Sequence, residues 1–83
     1  MTIVVRQGAQ DPAMHAAVER LTLRYRVAHA VYQELVDANA LVRMSGGRPS
    51  LQARHEEEEA FEALDSARHE LLGAAAAAYP TVH

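Results

Sequence analysis

From Met14 onward, side chains that favour burial return at alternating steps of four and three: Met14, Val18, Leu21, Tyr25, Ala28, Tyr32, Leu35, Asn39 and Val42. This alternation is the seam of a coiled coil, where one stripe of a helix faces a partner helix. A second series keeps the same rhythm through Ala53, Glu57, Ala60, Leu64, Ala67, Leu71, Ala74 and Ala78. Between the two lies the chain's clear break, Ser45-Gly46-Gly47-Arg48-Pro49-Ser50. A glycine there can take the left-handed conformation that ends a helix, Pro49 blocks continuation, and Ser50 is a natural cap for a second helix. The pattern predicts a helix over residues 12–44, a turn over 45–50 and a second helix over 51–79. Asp11 and Pro12 mark the start, and Pro80 marks the stop. Gly73 lowers propensity inside the second helix, and the alanines at 74–78 restore it. Thr2, Ile3, Val4 and Val5 are all β-branched, so residues 1–11 read as a short extended arm. The fold class is all-α: one domain over residues 1–83, built as a long antiparallel helical hairpin, its first helix about 50 Å long.

Folding the two series antiparallel about Gly46-Gly47 sets a register. Val42 then faces Ala53, Leu35 faces Ala60, Tyr32 faces Leu64, Ala28 faces Ala67, Tyr25 faces Leu71, Leu21 faces Ala74, and Val18 faces Ala78. Large residues mostly meet small ones, so the helices can approach closely without voids. The same register puts the two polar seam residues, Asn39 and Glu57, in one layer. It sets Val36 beside Phe61 on one side and Arg24 beside Glu70, as an ion pair, on the other.

The first helix carries more apolar surface than one partner helix covers. Leu23, Val27, Val31, Ala38 and Leu41 form a second stripe, interrupted by Glu34. The second helix offers fewer large outward residues: Phe61, Leu72 and Tyr79. Two helices enclose no core, and a hairpin of this size is marginal alone. The expectation is therefore that Leu23, Val27, Val31, Ala38, Leu41 and Leu72 form an interface. Its occupant is a second copy, giving a homodimeric four-helix bundle, or else a different protein. The function expected is a non-enzymatic interaction module of adaptor, chaperone or inhibitor type, acting through this apolar helix face.

Composition narrows the class. Apolar residues make up 49% of the chain, too many for a disordered tail, and aromatic residues only 5%, so any core is aliphatic and alanine-rich. The formal net charge of −3 argues against a nonspecific nucleic-acid coat. There is no cysteine, which excludes disulfides, thiol catalysis and thiolate metal sites and favours the cytoplasm. The N-terminal segment lacks the features of a secretory signal, and no stretch is long and apolar enough to span a bilayer. All eight basic residues are arginine, in keeping with a GC-rich genome.

Candidate chemistry is sparse. Asn39 and Glu57 read as a register-fixing polar layer. The alternative is a ligand- or metal-binding bundle built on these two residues and the histidines. Residues 56–59 with Glu62 read as a solvated acidic face over the first turns of the second helix, near its N-terminal dipole. His15, His29, His55, His69 and His83 show no chelating helical spacing, although His29 and His69 fall at similar heights across the hairpin. Arg20, Arg24 and Arg26 form one basic patch, and Arg43, Arg48 and Arg54 another around the turn, diluted by acidic neighbours. No helix-turn-helix, phosphate loop or stacking platform accompanies them, so a nucleic-acid-associated regulator is the weaker alternative. No hydroxyl has a histidine and a carboxylate placed to activate it. The expectation is no catalytic residue, no cofactor and no metal site. The architecture resembles that of bacterial helical-hairpin secretion proteins and small secretion chaperones. The turn Met44-Ser45-Gly46-Gly47 lacks the Trp-x-Gly of one such group, and no family is assigned.

Overall fold

The computed structural model describes residues 12–79, which form two helices, α1 (Pro12–Met44) and α2 (Leu51–Ala78), packed antiparallel along their length. The extended arm expected over residues 1–11 and the Asp11 cap lie outside the described residues.

α1 ends where the glycines require it. Gly46 has φ of 88°, the left-handed region in which a Cβ would be strained. The Gly46 amide donates to the Arg43 carbonyl at 3.0 Å, and the Gly47 amide donates to the Val42 carbonyl at 2.9 Å. These two bonds form a Schellman motif, which satisfies carbonyls the helix end would otherwise leave open. A Cβ on Gly47 would meet the Val42 side chain at 3.3 Å, so close approach of the backbone also selects glycine there. Pro49 is buried beneath the turn, and Ser50 caps α2 by accepting from the Ala53 amide at 3.0 Å. The cap satisfies one of the donors that every helix N-terminus leaves free.

The seam follows the expected register. Every seam position of α2, and every seam position of α1 except the exposed Val42, is buried or half-buried. Ala67 and Ala78 are 1% and 0% exposed and Asn39 is buried, whereas no large side chain among the described residues is fully enclosed. Asn39 and Glu57 share a layer and hydrogen-bond at 2.7 Å, and Arg24 donates to Glu70 across the helices. The Phe61 ring lies against Tyr32, with centroids 5.7 Å apart.

α2 stops one residue earlier than the pattern predicts. Tyr79 leaves the helical conformation at φ −127°, while its amide still donates to the Ala75 carbonyl at 2.8 Å. Its ring packs edge-on against His15 at 5.6 Å, and its hydroxyl lies 3.0 Å from His15 Nε2. The open end of the hairpin is therefore closed by an aromatic and hydrogen-bonded contact, and the alanines at 74 and 78 let the helices approach beneath it.

Because Ala67 has no room to grow, Ala67→Phe should force the helices apart. The expected loss is about 2 kcal/mol, a fall in thermal midpoint on the order of 10 °C by circular dichroism. An unchanged midpoint would mean that Ala67 does not face α1. At Gly46, where a Cβ meets no neighbour, Gly46→Ala should cost about 1 kcal/mol in urea unfolding, through backbone strain alone.

Candidate interaction surface

The seam consumes one stripe of each helix and leaves two long flanks. Helical spacing assigns the remaining residues to them, because positions seven apart recur on one side. One flank carries the Arg24–Glu70 ion pair. The other carries Phe61 against Tyr32 and Tyr79 against His15.

The Arg24 flank is the apolar one. Val31 and Ala38 follow Arg24 at steps of seven, and Val27 and Leu41 lie beside them, with Leu23 at the margin. All five are exposed, Leu23 and Leu41 by 63% and 66%. Leu23 and Val27 form a shallow, open apolar patch on α1, bordered by Arg20, Arg24 and Ala28. Glu34 interrupts the stripe; it is exposed and makes no ion pair among the described residues. α2 adds small residues to this flank. Ala63 and Ala77 lie seven residues either side of Glu70, with Ser66 and Gly73 between them, all exposed.

Three outward residues of α2 distribute differently from the simple count. Phe61 and Tyr79 turn toward α1 and are partly spent on Tyr32 and His15. Leu72 lies one turn beyond Arg68 and two beyond Asp65, on the Phe61 flank. It is exposed but does not join Leu23, Val27, Val31, Ala38 and Leu41. The contribution of α2 to the apolar flank is its small residues, a signal that a search for large apolar side chains passes over.

The polar groups are mostly committed to local partners. Asn39 Nδ2 donates to Glu57 at 2.7 Å and to the Ala53 carbonyl at 3.4 Å, so the buried amide is satisfied inside the seam. The glutamate run starts in the second turn of α2, beyond the first turn where the helix dipole acts. Glu56 accepts from Gln52 at 3.0 Å, and Glu59 lies 3.8 Å from His55. His29 and His69 do not meet. His29 tilts against Tyr25 on its own helix, with centroids 6.1 Å apart, and His69 Nδ1 lies 2.8 Å from the Asp65 carbonyl. Arg68 donates to Asp65 at 3.1 Å. Among the described residues no three histidine, aspartate or glutamate side chains converge in a metal-binding arrangement, and no helix is long and apolar enough to cross a membrane.

The turn end differs in charge. Arg43, Arg48 and Arg54 line a pocket of about 350 Å³ with Pro49, and Arg43 and Arg54 also border a second of about 380 Å³ with Tyr32, Glu57, Glu58 and Phe61.

Fold and surface together define an antiparallel two-helix hairpin with one mixed polar and aromatic flank and one apolar flank that nothing covers among the described residues. No family model, curated protein or solved structure matches the chain.

The Asn39–Glu57 layer has a separable signature. Asn39→Ala should cost about 1–3 kcal/mol in urea unfolding, because the half-buried carboxylate loses its donor. Replacing both residues by leucine should instead raise stability while loosening register, as removal of buried polar pairs does. Cross-linking of cysteines introduced in facing layers would report the loosening.

Proposed function

We propose that this protein is a non-catalytic interaction module that self-associates through the Arg24 flank of α1. The observation that carries this reading is the pairing of an exposed apolar stripe with a hairpin that, among the described residues, buries only two alanines, Pro49 and the Asn39 amide. Two helices alone bury too little apolar surface for robust stability, and a flank of this kind gains most by covering itself.

Charge complementarity favours a second copy as the occupant. When α1 is laid antiparallel on its symmetry mate, about a two-fold axis level with His29, Val27 meets Val31 of the second copy. Leu41 then meets Ala17, Arg20 meets Ala38, and Glu34, the one carboxylate of the stripe, meets Arg24, which also pairs with Glu70 of its own chain. The small residues of α2 on the same flank leave room for the mate's helices. The assembly is a two-fold symmetric four-helix bundle, and a closed symmetric interface of this kind is the commonest oligomer plan. Adaptor or chaperone action would follow if another protein's amphipathic helix competes for the same stripe.

The test is molar mass by light scattering over a concentration series, with twice the 9.1 kDa chain mass expected for the wild type. Val31→Asp should give a monomer of unchanged helical content, because Val31 lies off the seam. Glu34→Arg should raise the dimer dissociation constant about tenfold or more, by facing Arg24 of the second copy with a like charge. A wild-type chain that stays monomeric throughout would leave the stripe to a different protein and end the homodimer reading.

A further inference from the structure

A second surface, away from the apolar flank, has the makings of a ligand site. Arg43 closes α1, Arg48 projects from the turn, and Arg54 lies in the first turn of α2; all three line one pocket around the buried Pro49. None of the three guanidinium groups makes an ion pair or hydrogen bond among the described residues. Glu57 and Glu58 stand on the wall of the adjoining pocket, without an ion pair to any of the three among the described residues. Glu57 is held by Asn39, Glu56 accepts from Gln52, and Glu59 lies by His55. Three cations lining one pocket repel one another, and a multivalent anion between them relieves that repulsion. Guanidinium is the group best shaped for bidentate hydrogen bonding to a phosphoryl oxygen pair. The α2 N-terminus adds its dipole beside Arg54, and Ser50 occupies the Ala53 amide while the Leu51 and Gln52 amides remain available.

The adjoining pocket extends the chemistry. It shares Arg43 and Arg54 as walls and adds the Tyr32 and Phe61 rings with the Glu57 and Glu58 carboxylates. A planar ring attached to the phosphoryl group would lie against the aromatic pair, and Glu58 offers an acceptor for an exocyclic amine. Each pocket falls within the size range of small-molecule sites, about 300–1,000 Å³. We propose that the turn end of the hairpin binds a small phosphorylated ligand of the nucleotide class. Arg43, Arg48 and Arg54 hold the phosphoryl group, and Tyr32 and Phe61 take the ring. This proposal does not depend on self-association, since Arg43, Arg54, Tyr32 and Phe61 lie off the apolar flank.

The experiment is a titration of the full isotope-labelled chain with inorganic phosphate, adenosine monophosphate and adenosine, followed by NMR. Phosphate should give saturable shifts confined to the Nε–H groups of Arg43, Arg48 and Arg54 and to the amides of Leu51 and Gln52. Adenosine monophosphate should shift the same signals and the Tyr32 and Phe61 rings, and bind about tenfold tighter than phosphate. Adenosine should not saturate. Arg48→Gln and Arg54→Gln, both at exposed positions, should each weaken phosphate binding about tenfold, the loss of a charge-assisted hydrogen bond, while Arg26→Gln should leave it unchanged. Linear shifts that spread equally to Arg20 and Arg26 would show ionic screening and overturn the site, as would unaltered binding by both turn variants. Equal affinity for phosphate and adenosine monophosphate would overturn the ring pocket.

Discussion

Among the described residues two helices share one contact surface, and no third element closes over it. Every other property of this protein stems from how little that surface can bury. The seam answers with alanine. Where α2 presents Ala60, Ala67, Ala74 and Ala78, the α1 backbone can approach closely, and the larger side chains of α1 lie along the contact without being enclosed by it. Ala67 and Ala78 disappear from solvent, while leucines and tyrosines remain half-covered. Dispersion contacts in a close-packed seam scale with approach distance, so small residues strengthen a thin interface that larger ones would hold apart.

A thin interface is weakly specific, and the hairpin compensates at its ends and at one interior layer. At the turn, the Schellman bonds, the buried Pro49 and the Ser50 cap determine where α1 stops and α2 starts. A few turns inward, the Asn39–Glu57 bond fixes which layers meet, since a slip would leave a buried amide unpaired. At the far end, Tyr79 bends out of α2 and meets His15. Register is thus specified at both extremities and once between, by polar contacts whose worth lies in excluding alternatives more than in net stability.

The flanks divide the remaining chemistry. One is apolar on α1 and small on α2, suited to packing. The other carries Asp65, Arg68 and the aromatic pairs, and it leads at the turn into three arginines that make no ion pair among the described residues. Protein association and anion recognition need opposite surfaces: the first gains from expelling water, the second from ordered donors around a charge. A two-helix rod can present both because its flanks are separated by the seam.

Much of this was legible in one dimension. Heptad spacing is a local property, and an antiparallel fold about a single glycine turn has one free parameter, its register. The seam residues, the α1 boundaries, the Ser50 cap, the Asn39–Glu57 layer and the Arg24–Glu70 pair therefore emerge from spacing and turn chemistry alone. The tertiary structure decided what spacing does not encode, namely which outward side chains bend back across the seam and which carboxylates find closer partners. Phe61 and Tyr79 turn inward, Leu72 lies across the rod from the α1 stripe, and Ala63, Ser66, Gly73 and Ala77 widen that stripe instead. The turn arginines look diluted by their acidic neighbours in the linear chain. In three dimensions Glu56, Glu57 and Glu59 find partners at Gln52, Asn39 and His55, because residues three and four apart on a helix, and facing layers across the seam, share a face as sequence neighbours do not.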